Sequence, residues 1–70
     1  MNRINPRKLM GSKWTATRPQ NKEKHFLVTR VIKEEETIVS CVLEAVYSKR
    51  EQVLAWQNLQ DQETWLMGWK

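Results

Sequence analysis

The chain has 70 residues, a formal net charge of +4, four tryptophans, one cysteine and one histidine. A chain of this length forms one small domain with a marginal core. One cysteine excludes an intramolecular disulfide, and one Cys with one His falls short of the four ligands of a structural zinc site, so we expect side-chain packing alone to stabilise the fold.

The start of the chain predicts a helical turn, a strand and a loop. Asn5 before Pro6 is typical of a helix cap followed by the first helical residue, so residues 6–10 are predicted to form one turn that Gly11 ends. Residues 13–17 are rich in strand-forming side chains. Residues 18–23 are polar and contain Pro19, which predicts a loop.

The second strand is predicted over residues 24–33, which are rich in β-branched side chains. Alternation assigns Phe26, Val28 and Ile32 to one face, and Leu27, Thr29 and Val31 to the other. Residues 34–37 contain three consecutive glutamates and are predicted to form an exposed hairpin turn, because acidic side chains on one loop do not converge on a point.

The third strand is the clearest, because apolar side chains alternate over residues 38–47. Its apolar face comprises Val39, Cys41, Leu43, Ala45 and Tyr47. A helix through the same residues is the main alternative, although β-branched side chains disfavour it. A polar turn over residues 48–50 leads into a fourth strand that starts at Glu51.

The last part of the chain predicts a short turn and a final strand. The segment between Trp56 and Trp65 suits a single helical or 3₁₀ turn with Asn58 or Asp61 as a cap. In the hexapeptide WLMGWK, alternation places Trp65, Met67 and Trp69 on one face. Gly68 is then expected to allow close approach of a neighbouring aromatic ring, for which Trp14 is the candidate.

These elements predict an all-β fold, a small five-stranded antiparallel SH3-like barrel with one short helical turn before the last strand. The first and last strands are expected to meet, which would remove exposed strand edges. The alternative is an open antiparallel sheet covered by the N-terminal segment. One β domain is expected over residues 1–70, with residues 1–12 partly irregular.

The residues that could carry catalysis are not arranged as known catalytic motifs. His25 has no serine or cysteine at a motif-like spacing. Cys41 lies on an apolar face, where burial should raise its pKa and leave it unreactive. Two glycines, Gly11 and Gly68, cannot form a phosphate-binding loop. We therefore expect no enzymatic activity, no cofactor and no metal.

Charge is concentrated at the start of the chain. Residues 1–24 carry seven Lys or Arg and one Glu, whereas residues 25–70 carry five cationic and seven acidic side chains. This asymmetry favours a polyanionic partner, although a basic surface that only keeps the protein in solution is the ordinary alternative.

Two binding hypotheses follow, and the oligomeric state is left open. The first is non-specific contact with RNA or DNA, in which cations bind phosphates and flat rings stack on bases. Its candidate residues are Arg7, Lys8, Lys13, Trp14, Arg18, Lys22, Lys24, Lys49 and Arg50, with the terminal Trp69 and Lys70 as further candidates. The second is a protein interface anchored by Trp65 or Trp69, since tryptophan is common at interface hot spots. For each tryptophan, burial in the core is the ordinary alternative.

No targeting sequence or membrane span is predicted. The first residues are charged from Arg3 onward, and no stretch approaches 18 apolar residues. An unpaired cysteine is typical of a reducing compartment. The expectation is a cytoplasmic protein that does not contact a membrane.

Several stretches of the sequence resemble one protein family. They are NPRKL (residues 5–9), SKWTA (12–16), PQNKEKHF (19–26), LEAVYSKR (43–50), Trp56 and WLMGWK (65–70). The chain resembles the small tryptophan-rich bacterial proteins that are grouped as a domain of unknown function. The resemblance implies a stand-alone bacterial protein of the cytoplasm, and it implies no activity, ligand or site.

Overall fold

The structure, a computed structural model, describes residues 1–70 as five antiparallel strands and two 3₁₀ turns. The strands are β1 (Lys13–Gln20), β2 (Glu23–Glu34), β3 (Thr37–Ala45), β4 (Glu51–Ala55) and β5 (Trp65–Met67). The 3₁₀ turns are Pro6–Lys8 and Trp56–Gln60. The predicted all-β class, the five strands and the short turn before the last strand are therefore confirmed. No helix is long and apolar enough to cross a membrane.

The strands form one sheet in the order β4-β3-β2-β1-β5. The predicted meeting of the first and last strands is confirmed, because Trp14 pairs with Met67 and Ala16 with Trp65. β4 and β5 are the two edges and do not pair with each other, so the sheet is open and the predicted barrel is not closed. The sheet therefore has the architecture predicted as the alternative to a barrel, an open sheet with the N-terminal segment packed against it.

The core lies on one face of the sheet, beneath the N-terminal segment and the second 3₁₀ turn. Its buried members are Leu9, Trp14, Phe26, Val28, Cys41, Leu43, Ala45, Leu59 and Trp65. The ring of Trp65 meets Phe26 edge to face, with centroids 5.2 Å apart. The indole N–H of Trp14 donates to Ser12 Oγ at 2.9 Å. Indole burial thus supplies much of the packing, as the composition predicts.

β1 continues to Gln20, so the predicted loop over residues 18–23 is wrong. The connection to β2 needs only Asn21 and Lys22, whose φ angles of 54° and 63° match the two-residue hairpin turn that suits the twist of paired strands. The β1–β2 register shifts between Thr15 and Gln20, so Pro19 lies where the pairing is irregular. Proline has no backbone N–H, and its absence there breaks no regular series of strand hydrogen bonds.

The alternation predicted for β2 fails beyond Val28. The register with β3 shifts between Val28 and Arg30, which is the signature of a β-bulge. Val31 is consequently opposite Cys41 and packs against the core, whereas Ile32 is exposed. The acidic turn is confirmed, with Glu35 and Glu36 at φ angles of 49° and 69°.

The last strand is shorter than predicted. β5 ends at Met67, and Gly68 has a φ of 81°, which an L-residue rarely adopts. The chain leaves the strand there, and Trp69 lies against the outer face of the sheet, the face opposite the core. The prediction that Trp69 shares a face with Trp65 is therefore wrong. A Cβ added to Gly68 would meet nothing within 4 Å, so Gly68 permits the turn and does not make room for Trp14.

Candidate nucleic-acid interface

The structure separates the predicted basic residues into two groups. The first group lies at the turn end of the sheet, where the β1–β2 and β3–β4 turns meet because β2 and β3 are antiparallel. It comprises Arg18, Lys22, Lys24, Lys49 and Arg50. The second group lies on the β1–β5 flank, which we define as residues 1–13 and 65–70. It comprises the predicted Arg7, Lys8, Lys13 and Lys70, and also Arg3, which the sequence prediction left out.

Acidic side chains balance the basic group at the turn end. Five acids occupy the same end of the sheet: Glu23, Glu44, Glu51, Asp61 and Glu63. Lys49 Nζ lies 4.0 Å from Glu44 Oε2. Arg18 and Arg50 line a cleft of about 350 Å³ together with Glu23, Asp61 and Glu63. The turn end therefore has almost no net charge and offers a polyanion little attraction.

Arg50 forms an ion pair with a nearly buried carboxylate, although its own side chain is 61% exposed. The Glu23 side chain is only 5% exposed and accepts from both Nε and Nη2 of Arg50, the former at 3.0 Å. Ser48 Oγ donates to the same carboxylate. The hydrogen bonds from Arg50, and then that from Ser48, lower the pKa of Glu23 to about 2. Arg50 thus links the β3–β4 turn to the start of β2, and Glu23 balances its charge.

The β1–β5 flank carries five cations and no acidic side chain. Its cations take part in none of the three ion pairs of the structure, which join Arg30 to Glu51, Lys49 to Glu44 and Arg50 to Glu23. Since the whole chain has a net charge of +4, the flank accounts for all of the positive excess.

Hydrogen bonds hold the N-terminal segment beside β5. Asn2 Nδ2 donates to the carbonyl oxygens of Leu59 at 2.9 Å and Trp65 at 2.8 Å. Leu9 is 1% exposed and anchors the segment in the core. Between the segment and β5 lies a groove of about 270 Å³, lined by Arg3, Ile4, Asn5, Lys8, Leu9, Ser12, Trp14 and Met67. The segment therefore presents its cations from a fixed backbone.

Trp69 is the exposed aromatic ring of the flank. It is 43% exposed, and its indole N–H donates to Phe26 O at 2.9 Å. Lys13 Nζ lies 4.7 Å from its ring centroid, within range of a cation–π contact. The His25 ring is tilted against it, with centroids 5.9 Å apart. The hydrogen bond and these contacts position the indole while part of the ring stays open to solvent.

The backbone after β5 is fixed by Thr15. Its hydroxyl donates to Gly68 O at 2.7 Å and accepts from Lys70 N–H at 2.9 Å. His25 Nε2 also lies 3.3 Å from Lys70 O. These contacts place Trp69 beside Lys13, which the alternation of side chains did not predict. Gly68, directly before Trp69, was the one sequence feature that could have indicated a turn there.

Two of the predicted aromatic site residues are buried. Trp14 is 2% exposed and Trp65 is 8% exposed. Neither ring offers a free face, so Trp14 is removed from the candidate nucleic-acid surface and Trp65 from the alternative protein interface. Trp69 remains.

Comparison with known proteins identifies a family and no individual relative. A family model described as "Tryptophan-rich protein (DUF2389)" matches residues 12–70, which confirms the resemblance seen in the sequence. Searches of curated proteins and of solved structures gave no match.

Proposed function

The chain belongs to the tryptophan-rich protein family (DUF2389), and we propose that it is a binding module for single-stranded nucleic acid that uses the β1–β5 flank. The observation that carries the proposal is the combination of five cations, none of which forms an ion pair, with the exposed, positioned ring of Trp69.

The chemistry of the flank fits a single strand. Lys and Arg side chains bind phosphates without reading sequence. An exposed indole can stack on any unpaired base, and such stacking contributes about 1–3 kcal/mol per base. Bases in a duplex are already stacked on one another, so Trp69 gains this contact only with a single strand. We therefore propose binding without base specificity, with Trp69 as the stacking ring.

The salt dependence of affinity tests the proposal. Five neutralised phosphates on a single strand give a log–log slope of about −3.5, from about −0.7 per phosphate. The measurement is fluorescence anisotropy of a labelled single-stranded oligonucleotide over a range of salt concentrations, with a duplex of the same sequence as the control. A slope near zero, or tighter binding of the duplex, would contradict the proposal.

An alternative function is a protein interface on the same flank. The observation in its favour is a run of exposed apolar side chains, with Leu66 36%, Met67 49% and Trp69 43% exposed. Binding of a protein through these side chains would change little with salt, because burial of apolar surface does not depend on screened charges. The salt experiment therefore separates the two functions.

A further inference from the structure

The free edge of β4 presents backbone groups that have no partner within the chain. Ala45 N–H donates to Arg50 O, which makes this pair a hydrogen-bonded one in the β3–β4 ladder. In an antiparallel pair, hydrogen-bonded and non-hydrogen-bonded positions alternate. Because Val53 is paired with Val42 in that register, the N–H and C=O of Val53 point away from β3, as do those of Glu51.

The opposite edge of the sheet is protected at Trp65. Trp65 O accepts from Asn2 Nδ2, and Trp65 N–H donates to Asp61 O, so the outward groups of that residue are used within the chain. No side chain or loop makes a comparable bond to Val53. β4 also lacks the proline, lysine or bulge that commonly blocks pairing at a strand edge.

We propose that β4 pairs with β4 of a second copy of this chain, antiparallel about Val53, to form one continuous sheet. In this register the two Val53 residues exchange N–H and C=O hydrogen bonds across the two-fold axis. On each side, Ala55 N–H of one copy donates to Glu51 C=O of the other. Such an interface is isologous and closes after two subunits, so it does not propagate into a fibre.

Side chains in this register are compatible with the pairing. Val53 is 63% exposed and lies beside the buried Val42, so two copies bring their valines together into one apolar strip on the outer face. Glu51, the one charged residue of β4, falls opposite Ala55 of the second copy and not opposite another glutamate. Glu51 also has a cation beside it, since Arg30 Nη2 lies 4.0 Å from its carboxylate. Self-pairing therefore opposes no like charges, which would destabilise a strand pair.

The pairing is independent of nucleic-acid binding. β4 and β5 are opposite edges of the sheet, so the second copy would leave both β1–β5 flanks uncovered. A failure of one proposal leaves the other standing.

Sedimentation equilibrium of the full chain, at concentrations from about 10 µM to about 1 mM, measures the self-association. We expect a monomer–dimer equilibrium. Val53→Pro removes an N–H that the monomer does not use, and proline is tolerated at such an edge position. Because one hydrogen bond per copy is lost, the dimer Kd should rise about 10- to 100-fold. A monomer at every concentration, or an unchanged Kd in Val53→Pro, would overturn the proposal.

Two further measurements test whether the effect of a substitution at Val53 is specific to pairing at the β4 edge. Val53→Lys should dissociate the dimer. The matched control Ile32→Lys, at an exposed β2 position away from the edge, should leave the dimer intact. Equal effects of the two substitutions would overturn the assignment to β4.

In the unsubstituted protein, amide exchange at Val53 should slow as concentration rises, because the N–H becomes hydrogen-bonded only in the dimer. Exchange at Val53 that does not change with concentration would also contradict the pairing.

Discussion

The Nζ of Lys13 lies 4.7 Å from the centroid of the Trp69 ring, at the corner where β1 starts and the chain leaves β5. Both side chains are on the outer face of the sheet, and both belong to the part of the molecule that has no acidic residue. A cation and an exposed ring are thus held together where the positive charge is greatest. This pairing is the centre of the proposed nucleic-acid surface.

Removal of the Trp69 ring should weaken oligonucleotide binding. Trp69→Ala eliminates base stacking, which predicts a loss of about 1–3 kcal/mol, or about 5- to 150-fold in Kd. Trp69→Phe retains an aromatic face and should lose less. Both are measured by anisotropy, with circular dichroism to confirm that the sheet persists. Equal affinities for Trp69→Ala and the unsubstituted protein would remove Trp69 from the site.

The position of the basic residues, and not only their number, should determine affinity. The double variant Lys8→Gln with Lys13→Gln removes two cations from the flank and should reduce the magnitude of the salt slope by about 1.4. The matched double variant Lys22→Gln with Lys24→Gln removes the same charge from the balanced turn end. It should leave the slope nearly unchanged, and an equal loss in the two double variants would show that net charge alone drives binding.

The Glu23–Arg50 pair should make stability depend on pH in the acid range. Glu23 has a pKa of about 2 in the fold, against an ordinary value of 4.5. A lowered pKa stabilises the folded state fully above the unfolded value, and the contribution is lost as pH falls from about 4.5 to about 2. Urea unfolding at a series of pH values measures this loss.

Glu23→Gln should flatten that part of the pH profile. Glu35→Gln, in the exposed β2–β3 turn, is the control for removing one carboxylate and should retain the acid dependence due to Glu23. If Glu23→Gln loses stability between pH 5 and pH 2 as steeply as the unsubstituted protein, the ion pair does not stabilise the fold.

Asn2 should contribute more to stability than its place near the chain start suggests. Its amide donates to two carbonyl oxygens, of Leu59 and Trp65, and Asn2→Ala leaves both without this donor. We expect a loss of about 1–3 kcal/mol in the free energy of unfolding. Asn5→Ala, which removes one exposed bond from Arg7 N–H, should cost less. A larger effect at Asn5 would indicate that the N-terminal segment is held by its 3₁₀ turn and not by Asn2.

The Cys41 thiol should be unreactive in the folded protein. Cys41 is fully buried, and burial raises its pKa to about 11 from an ordinary value of 9.0. The unfolded chain ionises first, so folding stability should decrease as pH rises from about 9 toward about 11. Labelling with a thiol reagent should follow global unfolding. Rapid labelling under native conditions would show that the strand around Cys41 opens locally.

The sequence predicts strands and turns well where the side-chain pattern within one segment determines them. The alternation correctly places Cys41, Leu43 and Ala45 in the core, but Val42 on the opposite face is also buried, and Tyr47 lies exposed in the turn after β3. The adjacent glutamates at 35 and 36 correctly mark the β2–β3 turn. The prediction fails at the bulge in β2, which reverses the faces of Val31 and Ile32. A bulge depends on how β2 fits β3, and nothing within β2 itself specifies it.

The candidate site could be predicted only in part. Composition reveals an excess of cations near the start of the chain, but it does not show that β3, β4 and the segment before β5 bring acids to the cations at the turn end. Nor does alternation reveal that Gly68 redirects the chain and places Trp69 beside Lys13. The charge balance at the turn end and the position of Trp69 both depend on which strands are neighbours in the sheet, and the local sequence does not show this.

An NMR titration with a single-stranded oligonucleotide tests the central claim most directly, because it locates the contact residue by residue. The account predicts that the Trp69 indole N–H and the backbone amides of Lys8, Lys13 and Lys70 shift together, whereas those of Lys22 and Lys24 stay in place. Shifts confined to the turn end, or no shift at Trp69 and Lys13 at low salt, would contradict it.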